Sequence, residues 1–422
     1  MYCKAVFGSL GLLAGLLLPV AAMALPVELA VESAVERALA RDAGLRELSE
    51  RSRGLEQSAI ADSALPDPQL TLGAEGLPID DPLSADMMTM YTIGIRQSFP
   101  AGATRRLAGE RGSTLARATE AEALARRLDI AQQTRLAWLA WAAASESAQR
   151  IDAMAEQIKA LLELAQRRFA AGTARQQDEA QARLELILIE RRRLDAATDI
   201  DEALARLQRW AGPIDADRRS PRLPDWSQPE IGSGDYARRL ADHPELAAAR
   251  IRVEAGELGA DIARQAYRPA WMLEAGYGHQ RGSDPMGGRM SDKLFVMASV
   301  SLPLFTANRQ DRSVDAALAE RDAEEAQFHA IEQRLSGELG EQVALRQRLA
   351  QRRHLLETDI LPQSQQALDA TLSAYQADRA SFDELIRARL QLFELELDLI
   401  TTRERLLATI ARIAALTNED PS

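Results

Sequence analysis

Cysteine is nearly missing from this sequence of 422 residues, in which the single thiol is Cys3. Disulfide bonds and thiolate metal sites are therefore excluded from the rest of the chain. The four histidines are scattered without the spacing of metal ligands. Neither a glycine-rich phosphate loop nor a nucleophile elbow occurs in the sequence. We therefore expect no enzyme activity and no cofactor.

Lysine is scarce too, since it occurs only at Lys4, Lys159 and Lys293, and the formal net charge is −12. An acidic chain without a basic face or tail is not expected to bind nucleic acid. Alanine, leucine, arginine and glutamate dominate instead. This mixture is typical of long helices and coiled coils.

The one long apolar run lies at the N-terminus, in residues 5–22, between the basic start at Lys4 and an Ala-x-Ala end at Ala24. This pattern predicts a cleaved signal peptide over residues 1–24, so the mature chain begins at Leu25. An uncleaved membrane anchor is the alternative interpretation.

Two short segments, residues 68–76 and 88–99, alternate apolar and polar side chains and are predicted strands with one apolar face. Residues 269–278 and 293–303 repeat them. Pro68 aligns with Pro269 at an offset of 201, and Pro100 aligns with Pro303 at an offset of 203. The four strands therefore form two copies of one hairpin.

Long helices surround the hairpins. Helical spacing predicts a helix over residues 29–64, echoed by residues 236–266, and a second helix over residues 104–170. The chain then returns as a helix to Trp210, with its packing stripe at Leu184, Leu186, Ile187, Leu188, Leu194, Ile200, Leu204 and Leu207.

The second half repeats this plan, with a helix over residues 308–377 that Pro362 should kink and a return helix to Leu416. We therefore predict a signal peptide, two structural repeats, a proline-rich linker and a short tail, at residues 1–24, 25–212, 213–234, 235–418 and 419–422. Breaks at residues 169–178 and 375–384 form the tips of the two helical hairpins.

Four apolar-faced strands cannot close a barrel within one chain. Open sheet edges are excluded from lipid because their backbone groups stay unpaired, and closure takes at least about eight strands. Several copies must then donate strands. A barrel built from two copies would be a plugged tube, and one built from three copies would have an open bore above a tube of helices.

The sequence resembles the TolC-type outer-membrane efflux channels from Leu25 to Asn418. The resemblance is carried by the duplicated plan, by the strand ends Ser98-Phe99-Pro100 and Ser301-Leu302-Pro303, and by the breaks that begin at Phe169 and Tyr375. It implies a mainly α fold with a small transmembrane β part. It also implies a homotrimer with a twelve-stranded β-barrel in outer-membrane lipid of a Gram-negative cell and an α-barrel in the periplasm.

The same resemblance implies two partners, a periplasmic adaptor protein and an inner-membrane RND pump. The segments at residues 65–70 and 87–100 are similar to the heavy-metal branch of CzcC- and CusC-like channels. The implied cargo is heavy-metal cations, with drug efflux or type I secretion as the alternative. A structural coiled-coil protein of the envelope, without a pore, is the alternative of another class.

In the family, the tips contact the adaptor through an aromatic residue followed by a glycine three positions later. The residues that correspond here are Phe169, Gly172, Thr173, Tyr375, Asp378 and Arg379. Asp378 stands where glycine is usual, so a looser second turn is expected. Helix capping without any partner is the alternative interpretation.

Acids follow both tips, and in the family acids near this position line the periplasmic gate. The gate candidates are Asp178, Glu179, Asp383, Glu384 and Arg387, with Arg175 and Arg379 as further cations. Rings of carboxylates favour cations, but acids also stabilise helix N-termini. The thioethers of Met87, Met88 and Met90 are candidate ligands for Cu(I), although methionine also simply fills space.

Overall fold

The computed structural model describes residues 30–77, 79, 89–172, 175–214, 221–226, 235–281, 286, 288, 290–419 and 421. The predicted signal peptide, Met87, Met88 and Thr173 lie outside these residues. In the described part, no helix is both long enough and apolar enough to cross a bilayer.

Helices and strands follow the duplicated plan. The first repeat contains helices α1 to α4 and strands β1 and β2, at Val31–Arg41, Ala43–Ser63, Thr104–Ala170, Gln176–Ala211, Gln69–Glu75 and Met90–Phe99. The second contains α5 to α9 and strands β3 and β4, at Tyr236–Leu240, Pro244–Gln265, Gln310–Leu355, Leu361–Gln376, Phe382–Thr417, Trp271–Gln280 and Lys293–Val300. The prediction of a mainly helical, duplicated chain with four strands is confirmed.

The helix predicted over residues 29–64 is broken at Asp42, whose backbone is extended. Its carboxylate accepts the Leu45 amide at 2.8 Å and pairs with Arg126 at 2.7 and 2.8 Å. The echo breaks too, because His243 begins α6 and its Nδ1 accepts the Glu245 amide at 3.3 Å. At both breaks a polar residue caps the start of the helix that follows, although the apolar periodicity continues through the break.

A π turn at Leu356–Ile360 joins α7 to α8, and Pro362 follows it in the first turn of α8. Proline has no amide hydrogen to donate, and the wider turn accommodates that missing bond. A π turn is therefore found next to the position at which the sequence predicts a kink. The helical path from Gln310 to Gln376 spans as many residues as α3 from Thr104 to Ala170.

The four strands form one antiparallel sheet in the order β1-β2-β3-β4, so β2 and β3 join the two repeats. One face of the sheet is apolar and exposed, with Leu70, Leu72, Tyr91, Ile93, Ile95, Phe99, Trp271, Leu273, Tyr277, Leu294, Val296 and Val300.

The opposite face of the sheet, called the polar face below, carries charged, polar and glycine residues together with three methionines and Phe295. There Glu274 accepts hydrogen bonds from Arg96 at 2.8 and 2.9 Å and from Thr71 at 2.9 Å. This network crosses three neighbouring strands, so it fixes the register at which the two repeats meet. Its side chains share the face that is suited to water rather than to lipid.

The helical core forms three clusters. The first centres on Trp138 and Trp141, whose rings meet edge to face at 5.3 Å. Three buried residues of the predicted linker, Ile214, Leu223 and Trp226, pack into it. A second cluster occupies the half of the helices toward the tips, and a third joins α5, α6, α7 and α9.

The predicted packing stripe of α4 is wrong in part. Leu184, Ile187, Leu188 and Leu194 are exposed. The buried positions are Ala182, Ile189, Ala196 and Ala203, seven residues apart, followed by the predicted Leu207 and by Ala211. Small side chains let α3 and α4 approach closely, as in a coiled coil with a heptad repeat. The four exposed side chains lie on the opposite side of the helix from Ala182.

Glycine at position 112 permits the close packing of α2 on α3, since a Cβ there would lie 2.7 Å from the Ala59 Cβ and 3.0 Å from its Cα. We expect Gly112→Leu to destabilise the protein by more than the roughly 1–3 kcal/mol typical of overpacking. Gly54→Leu, on α2 where a Cβ meets nothing within 4 Å, is the matched control. Thermal unfolding of the helical circular dichroism signal measures both, and equal melting temperatures would contradict the close approach.

Candidate functional site

The first tip is a tight turn after α3. The Ala171 amide donates to the Arg167 carbonyl at 3.1 Å, and the Gly172 amide donates to the Phe169 carbonyl at 2.9 Å. Gly172 has a φ of 72°, and a Cβ at this position would meet nothing within 4 Å. The tip therefore needs glycine for its left-handed backbone, and the space around it is open.

The second tip has the same geometry without glycine. Asp378 has a φ of 56°, and the Arg379 amide donates to the Ala374 carbonyl at 2.8 Å. Aspartate is among the residues that tolerate the left-handed conformation. Both turns are closed by the same pair of backbone bonds, at 3.2 and 3.2 Å in the second tip, so the expectation of a looser second turn stays a prediction.

Arg168 joins the two tips. Its guanidinium pairs with the Asp378 carboxylate, donates to the Tyr375 carbonyl at 2.8 Å and lies 4.6 Å from the centre of the Tyr375 ring. Three contacts of different kinds converge on one partly buried side chain. The sequence gives no sign of this role, because Arg167 and Arg168 are adjacent and nothing local distinguishes one from the other.

The two tip aromatics lie in different environments. Tyr375 is only 5% exposed and packs 5.7 Å from the ring of Phe382, whereas Phe169 is 45% exposed. Burial raises the pKa of the Tyr375 hydroxyl, and the charge of Arg168 opposes that shift. Tyr375 therefore belongs to the core, and Phe169 presents an apolar surface to solvent.

Two of the candidate acids begin the return helices. The Asp178 carboxylate accepts the Arg175 amide at 3.4 Å. Glu384 forms a capping box with Ser381, with bonds of 2.8 and 3.2 Å between each backbone amide and the other side chain. Each acid satisfies an amide that the helix leaves unpaired and lies at the positive end of its dipole.

The other two acids reach across helices. Asp383 accepts the Gln181 side-chain amide at 2.9 Å and pairs with Arg387 on its own helix. The hydrogen bond from Gln181, with the nearby charge of Arg387, lowers the pKa of Asp383 below its usual range. Glu179 accepts Gln166 at 3.1 Å and Arg183 at 2.5 Å.

The predicted tip and gate residues of the two repeats therefore meet at one end of the chain. Arg168 links α3 to the second tip, and Gln181 links α4 to the start of α9. Arg387 pairs with Asp383 on its own helix, whereas Arg168 contacts Asp378 and Tyr375 of the other tip.

Among the weak metal candidates, only Met90 lies in the described part of the chain, at the start of β2. Within that part, no three His, Cys, Asp or Glu side chains are grouped so that they could hold a metal ion. Thioethers are a separate ligand class, and Met90 shares the polar face of the sheet with Arg96.

Comparison with known proteins gives one family match and several structural ones. Residues 236–419 match the family described as outer membrane efflux protein. No curated protein sequence matches the chain.

Solved structures align over nearly the whole chain. The outer membrane protein VceC of Vibrio cholerae aligns at 21% identity with a TM-score of 0.75, over 93% of this chain and 97% of that chain. The MtrE outer membrane channel of Neisseria gonorrhoeae aligns at 16% identity with a TM-score of 0.75, over 92% of this chain and 89% of that chain. CusC aligns at 16% identity with a TM-score of 0.76, over 93% of this chain and 93% of that chain.

Structural likeness at these identities establishes the fold of the whole chain. The family that the second repeat matches consists of outer-membrane conduits rather than enzymes. The chain has the fold of the TolC-type channels, and its residues 236–419 match the outer membrane efflux protein family.

Proposed function

We propose that three copies of this chain form the outer-membrane channel of a tripartite efflux system and export heavy-metal cations. The observation that carries the proposal is the four-stranded sheet, which has an exposed apolar face and whose outer strands β1 and β4 each have one edge without a strand partner in the described chain. Such a sheet is compatible with lipid only when its edges pair with those of other copies.

The number of copies follows from strand count. With four strands per chain, two copies reach the roughly eight strands of a plugged barrel, and three copies reach twelve. A conduit needs the wider bore. In a trimer, β1 of one copy pairs with β4 of the next, and the apolar faces form one continuous belt toward lipid.

The helices offer a second surface for assembly. Leu184, Ile187, Leu188 and Leu194 form an exposed apolar stripe on the side of α4 that faces away from α3. Exposed apolar patches of this kind mark contacts between proteins. A neighbouring copy in the helical tube would cover the stripe and extend the wall of the channel.

The tips are the proposed contact with a periplasmic adaptor, which in turn connects to an inner-membrane RND pump. Support comes from the exposed ring of Phe169 and the open space beside Gly172. The second tip contributes the backbone around Asp378 and the exposed side chain of Arg379, while Tyr375 supports the turn from within.

The proposal of a cation cargo rests on the negative charge of the chain and of its tips. The chain carries a net charge of −12. Asp178, Glu179, Asp383 and Glu384 cluster where the return helices begin. In a threefold assembly each carboxylate occurs three times around the axis, and screening is weaker in a narrow bore than in bulk water. Asp178 and Glu384 also cap helices, and capping leaves their negative charge in place.

Phe169→Asp and Gly172→Pro test the adaptor contact. We expect both to abolish efflux-dependent metal resistance while trimers persist, because the changes lie at the far end from the strands. Proline fixes φ near −65°, which the turn at Gly172 does not allow. Phe169→Leu, which retains an apolar side chain, should keep resistance. Wild-type resistance in the first two variants would contradict an adaptor contact at the tip.

Asp383→Ala combined with Glu384→Ala tests the acids. We expect lower cation selectivity in planar bilayers, since two carboxylates per copy are lost from the constriction. The pKa of Asp383 lies below its usual range, so its charge and the associated selectivity should persist on acidification until the pH falls through that lowered value. Unchanged reversal potentials in the double variant would show that these acids serve only the local structure, Glu384 as a helix cap and Asp383 as a partner of Gln181.

Arg168→Ala tests the contact between the tips, with Arg379→Ala and Arg387→Ala compared beside it. We expect the largest rise in resting conductance for Arg168→Ala, because only that change removes an ion pair and a carbonyl contact between α3 and the second tip. Arg167→Ala, on the exposed side of the same helix, is the matched control. Equal single-channel conductance in the Arg167 and Arg168 variants would contradict a closing role for Arg168.

A further inference from the structure

Methionine is distributed very unevenly in this chain. Of the ten methionines, Met1 and Met23 lie in the predicted signal peptide and Met154 lies in α3. The other seven are confined to the two hairpin regions, at Met87, Met88, Met90, Met272, Met286, Met290 and Met297. The long helices need many apolar side chains for their cores, yet they use leucine, isoleucine and alanine almost throughout.

The three methionines within strands all lie on the polar face of the sheet. Met90 pairs with Gln280, Met272 with Ser98, and Met297 with Glu274. Alternation places each of them on the side of Arg96 and Glu274, opposite the belt of Leu, Ile, Tyr and Trp. Methionines that only provided apolar surface toward the membrane would be expected on the apolar face of the sheet.

These thioethers are accessible at two levels along the strands. Met297 is 53% exposed, and its partner Glu274 is two residues from Met272, so the two methionines are diagonal neighbours about 7–8 Å apart. Met90 lies eight residues along the ladder from Met272, about 26 Å toward the other end of the sheet. Three copies around one axis would supply six thioethers at the first level and three at the second.

We infer that the inner face of the barrel binds soft monovalent metal cations, Cu(I) or Ag(I), through Met90, Met272 and Met297. The inference rests on the proposed trimeric channel, in which the polar face lines the bore. Thioether sulfur selects soft ions over Mg²⁺ or Ca²⁺. It carries no charge, so it holds cations weakly, and passage requires binding that is weak and spread over several sites.

Thioethers also differ from the other lumen-facing groups in their response to pH. They do not bind protons in the accessible range, whereas carboxylates and imidazoles do. Binding through sulfur should therefore be the same at about pH 5 and about pH 7.5.

The test is silver block of potassium current through the full-length protein in planar bilayers, in nitrate salts. We expect Ag(I) to reduce the wild-type current equally at both pH values. Replacing Met90, Met272 and Met297 together by leucine should raise the half-blocking Ag(I) concentration on the order of tenfold or more. Leucine conserves volume, so assembly should be retained, and mass measurement in detergent checks this.

Met154→Leu is the matched control, because Met154 is buried in α3 at 2% exposure and should not affect the block. Normal potassium current without silver block, or block that is equal in the wild type and the triple variant, would overturn the inference and leave the channel standing. Absence of any current would overturn the proposed channel and this inference with it.

Discussion

Backbone hydrogen bonding in lipid is the constraint on which this structure depends. Strands β2 and β3 are paired on both sides, but β1 and β4 each keep one edge of amides and carbonyls without a strand partner in the described chain. Hydrocarbon offers such an edge nothing to bond. In the proposed trimer these edges pair with those of other copies, the apolar face meets lipid and the polar face lines the bore. The Arg96–Glu274–Thr71 network lies on that polar face, where water lessens the cost of its charges.

The two repeats are tied together at both ends of the molecule. At one end β2 and β3 form a ladder with ten residue pairs. At the other, Arg168 and Gln181 cross from the first helical hairpin to the second. Between these ends, α9 packs against both α3 and α7 and contributes to all three core clusters. The strand ladder is continuous, and near the tips the second core cluster adds buried apolar contacts between the two repeats beneath the polar ones.

Much of this fold is predictable because its signals are local. The helix predicted over residues 104–170 is found at Thr104–Ala170, since Pro100 and Gly172 punctuate the chain on either side. Strand faces follow from alternation in the same way. The errors arise where tertiary packing decides. In α4 the sequence favours leucine as the core residue, but close approach to α3 selects Ala182, Ala196 and Ala203. Likewise, the role of Arg168 depends on the position of Asp378, 210 residues later.

The π turn before Pro362 changes the phase of the second long helix. Gln310–Gln376 and Thr104–Ala170 contain equal numbers of residues, but a π turn takes up about one residue more than an α turn. Positions beyond it are rotated by about 100° relative to an unbroken helix. Phe169 and Tyr375 correspond in sequence, yet one ring faces solvent and the other faces the core. Duplication alone would make six equivalent tips in a trimer. In the proposed trimer, the change of phase at the π turn instead makes two sets of three tips, so a partner can distinguish alternate positions around the ring.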